Sequence, residues 1–457
     1  MRAIILRNEK RSSVQMAIQL SDHFTYKRLL RFTLPSIVMM VFTSIYGVVD
    51  GFFVSNFAGK TPFTAINFIW PFIMILGAIG FMFGTGGSAL VSKTMGEGDI
   101  PKANRVFSLL VYVSIGTGVF FAVLGLLVLR PVAVALGAEG EMLNQCLIYG
   151  SILLAALPTY VLQMEFQSFF VTAEKPTLGL LFTVASGVAN MVLDFLFIAV
   201  FKWGIAGAAL ATAASQIIGG VGPLFYFFAK NKSILHLTHT KFDGKAVFHA
   251  CTNGSSELMS NISMSLVGML YNAQLMRYAG EDGVAAYGVL MYVGFVFLAI
   301  FIGYSVGVAP VVGYHYGAKN HAELKSLLKK SILLVLLSSV TMFVLAEALA
   351  TPLSYVFVGY DQELLQMTKQ CFYVYSFAFL FAGISIYGSS FFTALNNGLV
   401  SAIISFLRTL LFQIAAVMLF PLIWGINGIW FSVVAADFMA MVVTVIFLFA
   451  LKKKYQY

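Results

Sequence analysis

Polar side chains inside long apolar stretches are the residues of this 457-residue chain that could do chemistry. Asp50 lies in the stretch 32–57, Asn190 and Asp194 in 178–201, and Thr212 in 204–228. If these stretches are helices, a rise of about 1.5 Å per residue converts position into depth. Asp50 then falls about 27 Å, and Asp194 about 24 Å, from the edge at which its own stretch begins. Asn190 is one turn below Asp194 on the same helix face. Thr212, on a stretch running the opposite way, comes to the depth of Asn190. Two carboxyls, an amide and a hydroxyl thus converge in depth. If they are close and out of water, repulsion and lost hydration favour a pair that holds one proton. The same hard oxygens are also suited to a small cation such as Na+. The blander alternative is that each acid faces a watery lumen by itself.

Three more charges are buried in apolar stretches. Glu257 lies about 10 residues into 247–277, with no basic residue near it in its own stretch. It reads either as a coupling acid or as a carboxyl in a wet cleft, bonded to Ser255 or a neighbour. Arg408 in 399–423 and Asp437 in 426–450 fall at nearly one depth, about 14 and 13 Å from the same edge. They read as a structural ion pair, with snorkelling of Arg408 to the interface as the alternative. Glu165 and Glu347 lie near stretch ends and are expected to reach water. Pro35, fifteen residues before Asp50, removes a helical hydrogen bond and is expected to kink the first stretch.

These residues need elements to hold them, and composition names the kind. The chain is 60% hydrophobic and only 10% charged, where a soluble domain is about 25% charged. Most of its surface must face lipid. A bilayer core of roughly 30 Å takes about 20 apolar residues per helix. Twelve such spans are found, at about 32–57, 64–91, 106–129, 146–171, 178–201, 204–228, 247–277, 283–312, 331–358, 368–394, 399–423 and 426–450. Of the 28 Lys and Arg, 22 fall on the side of the termini and 5 on the other, with Arg408 inside a span. The positive-inside rule assigns the richer side to the cytoplasm.

The second half of the chain repeats the first at a shift of 221 residues. Ala58-Gly59 recurs as Ala279-Gly280, Gly86 as Gly307, Gly96 as Gly317, and Trp203-Gly204-Ile205 as Trp424-Gly425-Ile426. The expected fold is an all-α integral membrane protein: twelve transmembrane helices in two pseudo-symmetric six-helix lobes, related as parallel repeats. Residues 1–28 read as a basic cytoplasmic tail and 29–229 as the N-lobe of spans 1–6. Residues 230–246 read as a cytoplasmic inter-lobe loop and 247–457 as the C-lobe of spans 7–12. Two like halves around a cleft are a transporter plan.

Several classes are disfavoured. Cys146, Cys251 and Cys371 have no CxxC or metal spacing. The six histidines lie in the tail, in loops or at span ends, with no HExxH. No P-loop is present, and no nucleophile–base pair can be set at one depth, so the chain is not read as an enzyme or as ATP-driven. The net charge of +9 sits in loops and does not indicate a nucleic-acid partner. Gly84, Gly86, Gly87, Ser88 and Ala89 satisfy GxGxxA, but inside a span small residues read as helix packing. Some of the 44 Phe, 20 Tyr and 20 Met should line the cleft, where they suit apolar cations.

The chain resembles the MATE family, the multidrug and toxic-compound extrusion antiporters of the multidrug/oligosaccharidyl-lipid/polysaccharide flippase superfamily. The resemblance runs from about Leu29 to Leu451. It rests on the two six-span lobes, on Pro35 with Asp50, on Asn190 with Asp194, on Met95-Gly96-Glu97-Gly98-Asp99 and on Phe166-Gln167-Ser168-Phe169-Phe170. It implies that Asp50, Asn190, Asp194 and Thr212 form an N-lobe cation site for H+ or Na+. Glu257 resembles a seventh-span acid that some subgroups use in the C-lobe. Those subgroups also carry a tenth-span Asp, and 368–394 contains no acid. The implied activity is export of amphipathic, cationic organic compounds against inward H+ or Na+, from a bacterial cytoplasmic membrane, by a monomer without a cofactor. A lipid-linked saccharide flippase of the same superfamily is the alternative. Such proteins carry several cavity cations, and here only Arg408 is deep.

Overall fold

The computed structural model describes residues 18–359 and 361–457; Arg2, Arg7, Lys10 and Arg11 of the expected tail lie outside them. Every regular element among the described residues is helical. The first lobe begins with α1 (Tyr26–Phe53), which continues as a π-helical turn, Val54–Ala58. Then come α2 (Lys60–Gly96), α3 (Ile100–Ala135), α4 (Gly140–Ala155) and α5 (Leu157–Thr172). The last two make one span bent by 56°, with Pro158 in the first turn of α5, where a missing N–H costs least. α6 (Pro176–Asp194) runs into a second π-helical turn, Phe195–Val200, and α7 (Gly204–Phe228) closes the lobe.

The second lobe opens with α8 (Gly244–Gly317), 74 residues long. Straight, it would measure about 110 Å, several times a bilayer core of roughly 30 Å. It is two spans. Gly280 has φ 63° and ψ −152°, and the chain doubles back there. Tyr271 and Tyr287 stack with ring centroids 5.2 Å apart, whereas sixteen residues of straight helix would part them by about 24 Å. Then follow α9 (His321–Val358) and α10 (Gln362–Tyr375) with α11 (Ala378–Ala394), a pair bent by 48°. α12 (Gly398–Phe406) passes through a third π-helical turn, Leu407–Leu411, into α13 (Phe412–Trp424). α14 (Ile426–Ala450) and the short α15 (Lys452–Tyr455) end the chain. With each bent pair counted once, the two lobes have six spans each, and the protein is a multi-pass membrane protein.

Side chains that accept from the first helical N–H groups set the sharp turns between spans. Asp99 accepts from Lys102, Asn320 from Glu323, Asp361 from Leu364 and Asn397 from Val400. The end of the bundle that holds Tyr26, the inter-lobe linker and Ala450 is called basal here, and the opposite end distal.

The lobes meet along their basal halves, through glycines. A Cβ on Gly86 would lie 2.0 Å from the carbonyl oxygen of Ala250, and one on Gly254 would lie 1.9 Å from that of Met82. Only hydrogen at these positions lets α2 and the first arm of α8 touch backbone to backbone. Closer to the basal end, Gly96 and Gly317 make the same kind of contact between α2 and the second arm.

Residues 18–25, grouped with the tail in the sequence, are packed across both lobes. Leu20 and Phe24 are fully buried. Leu20 N donates to Glu174 Oε1 at 2.7 Å, in the first lobe. Phe24 N donates to Glu323 Oε1 at 3.0 Å, in the second, where His23 Nδ1 lies 2.6 Å from Glu323 Oε2. Burial pushes the Glu174 carboxyl up from its ordinary range. The linker after α7 is docked on α3. Asn104 bonds His236 N at 2.6 Å, and Ser108 Oγ accepts from Thr238 N at 2.8 Å.

Candidate functional site

Four of the polar residues singled out above lie where α1, α6 and α7 come together. Phe42 and Tyr46 of α1 pack onto Gly187 of α6, bringing those helices close. Asp50 is on the last turn of α1, and Asp194 is the final residue of α6. Asp194 directly precedes a π-helical turn, and Asp50 lies one turn before another. Such turns insert a residue into the helix and re-aim the side chains beside them. The two carboxyls face one another closely enough to interact as a pair. Asn190 and Asp194 are buried, at 1% and 0% exposure. Tyr149 of α4, equally buried, lies against both acids with its hydroxyl within reach of Thr212. Tyr46 lies beside Asp50.

The polar atoms of this cluster are without partners. Asp50 Oδ1, both oxygens of Asp194, both amide atoms of Asn190 and Thr212 Oγ1 are buried with no hydrogen bond to a described residue. None of the ion pairs among the described residues involves either acid. Buried polar groups in native proteins are normally hydrogen-bonded, and buried charges paired. This cluster departs from both rules. Its donors are oxygens and an amide, which fit a proton shared between carboxyls or a hard cation such as Na+.

The second lobe is different. Arg408, inside the third π-helical turn, donates from Nε to Asp437 Oδ1 of α14 at 2.9 Å. Glu257, on the first arm of α8, lies within reach of the Arg408 charge. Tyr375 lies beside both Arg408 and Asp437, and Tyr271 donates to Gln413 Oε1 at 2.7 Å. Neither Glu257, Arg408 nor Asp437 leaves a buried polar atom unpartnered.

The remaining residues are elsewhere. Pro35 is inside α1, and its neighbours Ser36 and Ile37 lie against Gly303 of α8, at the lobe contact and away from the acids. Glu165 corrects an expectation: it does not reach water. It is 0% exposed, with both carboxyl oxygens unpartnered. Its Cα lies under Gly84 of α2, and Ser114 of α3 is beside its carboxyl. The helices run past the apolar stretch and pack on one another, so nearness to a span end does not mean solvent. Glu347, half-buried, accepts from Ser376 Oγ. Tyr149 and the π-helical turns were not found by sequence reasoning. One tyrosine among twenty carries no signal, and π turns have no motif.

A twelve-span, two-lobed bundle with an unneutralised acid pair in one lobe belongs to the class of membrane transporters built from repeated halves. The MatE family model matches this chain twice, at residues 35–196 and 258–419. The chain belongs to the MatE family. Among similar proteins is the multidrug export protein MepA of Staphylococcus saprophyticus subsp. saprophyticus, 23% identical over 436 residues, with 94% of both chains covered. MepA of Staphylococcus haemolyticus is 28% identical over 305 residues, covering 66% of this chain and 67% of that protein. Similar solved structures include one described as the outward-facing conformation of a multidrug resistance MATE family transporter of the MOP superfamily. It has a TM-score of 0.90 and 21% identity, covering 96% of this chain and 99% of that one. The structure of MATE in complex with MaL6 has a TM-score of 0.89 and 22% identity, covering 96% and 100%.

Proposed function

We propose that this chain is a multidrug efflux antiporter that expels amphipathic, cationic organic compounds in exchange for H+ or Na+. One observation carries the reading. Asp50 and Asp194 face each other in the first lobe with Asn190, Thr212 and Tyr149 around them and no cation among the described side chains to neutralise them. Family membership and the MepA relatives support the export of drugs. The excess of Lys and Arg at the basal end supports a cytoplasmic basal side, with both termini there, in the bacterial inner membrane.

In this reading the lobes, joined basally, open a cleft on the distal, external side. Drug leaves there, and a proton or Na+ enters the Asp50–Asp194 pair. The bound ion biases the return to the inward state because its affinity differs between the two states. The lobes act within one chain, so a monomer suffices. A flippase of lipid-linked saccharides would need free cations for a pyrophosphate, and Arg408 is committed to Asp437.

The test is efflux of ethidium from proteoliposomes under a pH gradient alone and then a Na+ gradient alone. One gradient should drive export in the wild type, and Asp50→Asn should reduce that export at least a hundredfold. Full-rate, gradient-driven export by Asp50→Asn would remove the coupling assignment. No export by the wild type under either gradient would favour the flippase.

A further inference from the structure

Both lobes carry a π-helical turn in their fifth span, but at different heights and beside opposite charges: at the shift of 221 Arg408 matches Gly187, about two helical turns nearer the basal end than Asp194. In the first lobe, the span that starts at Pro176 meets its π-helical turn directly after Asp194. In the second lobe, the span that starts at Gly398 meets its π-helical turn at Leu407, with Arg408 inside it. Where one acid faces another in the first lobe, an arginine faces an acid in the second.

Geometry brings Glu257 into the same cluster. α12 and the first arm of α8 both run away from the basal end and touch where Gly398 meets Thr252 and Asn253. Counting at 1.5 Å per residue from that contact, Glu257 lies about 7 Å higher and Arg408 about 15 Å higher. Side chains on a helix tilt back toward its N-terminus, which brings the Arg408 charge toward the level of Glu257, close enough to act on it without a direct ion pair, while its Nε holds Asp437 at 2.9 Å. The groups facing this guanidinium are Glu257 from α8, Tyr375 from α10 and Asp437 from α14. Tyr271 of α8 lies beside Asp437 as well. One fixed cation thus pairs with Asp437 and acts through space on Glu257. Arginine suits the part because it stays protonated under all working conditions.

We propose that Arg408 is a permanently tethered cation of the second lobe, doing for Glu257 and Asp437 what an exchangeable ion does for Asp50 and Asp194. Ion exchange is thereby confined to the first lobe, and the second holds its charge balance through the whole cycle. The proposal rests on the first-lobe coupling reading above. It gives the otherwise unexplained arginine a role: it closes a second ion site and sets the number of ions exchanged per drug.

The experiment is gradient-driven ethidium efflux in proteoliposomes with the membrane potential clamped, comparing Arg408→Gln, Asp50→Asn and the double variant. In the wild type, the rate should depend on the driving ion with a Hill coefficient near 1. Arg408→Gln should raise that coefficient toward 2, because Glu257 and Asp437 then take up an ion of their own. The double variant should recover at least tenfold of the ion-driven export lost in Asp50→Asn. Arg408→Lys, which restores a fixed cation, should return the coefficient to 1 whatever its rate. An unchanged coefficient in Arg408→Gln, with a double variant no better than Asp50→Asn, overturns the proposal. Should Arg408→Gln fail to fold, the Arg408→Gln/Asp437→Asn variant leaves Glu257 without its cation, and the same rise or its absence decides. Failure of the underlying reading shows separately, as unimpaired export by Asp50→Asn alone.

Discussion

The first lobe holds two acids facing each other in a cluster with six buried polar atoms unpartnered; the second bonds one buried acid, Asp437, to Arg408, with the half-buried Glu257 within reach of the same charge. Both lobes are built from six spans and carry a π-helical turn in the fifth, at different heights and beside residues of opposite charge. An incomplete polar cluster is costly to fold and can be completed from outside. A complete one stabilises its lobe and has no reason to release anything. In the proposed reading, a duplicated fold thus keeps one exchanging site and one closed site.

Beyond the loss of coupling in Asp50→Asn, the comparison can be broken most forcefully in the second lobe. Arg408→Ala leaves the buried Asp437 without its cation and should cost about 3–5 kcal/mol, the usual penalty for breaking a buried pair. Arg408→Ala with Asp437→Ala should recover a good part of this in thermal unfolding in detergent. A double variant no more stable than either single one would show that the two do not act as a unit.

A smaller effect is expected from Tyr149→Phe, which keeps the ring and removes the hydroxyl facing both acids. That hydroxyl is within reach of Thr212, and a neutral hydrogen bond is worth about 0.5–1.5 kcal/mol. Coupled export at a fixed gradient should fall up to about tenfold, with unfolding little changed. An unaltered rate would mean that Tyr149 only fills space.

The smallest effect sharpens what a site requires. Glu165 is an acid as deeply buried as Asp194, but it faces no second acid. Glu165→Gln should leave the ion dependence of export within about twofold of the wild type. A large change would extend the coupling machinery toward the basal end.

Much of this could be read in the sequence, because depth in a membrane follows from counting. Counting set Asp50 level with Asp194, and Arg408 level with Asp437; in the structure the first two carboxyls face each other and the second two groups are bonded. Counting gives height and not direction. It could not tell that Glu257 lies within reach of Arg408, or that Tyr149 turns toward the acids. It misjudged Glu165 because a bundle shields residues that an isolated helix would expose. It also read 18–25 as tail, since nothing in eight mostly polar residues announces that Leu20 and Phe24 will be covered by both lobes.

The docked linker sets a limit of a different kind. Thr238 is the last residue held by α3, through Ser108, and Asp243 caps the start of α8 through Lys245 and Ala246. Between them lie His239 to Phe242, and a chain of that length spans at most about 18 Å. The linker is therefore a short leash whose slack is fixed by residue count. The lobes are free to rock only until it is taut at this edge. Any wider stroke must first peel Thr238 from Ser108, and lengthening the leash by a few glycines would change how far the halves travel without touching a single charged residue.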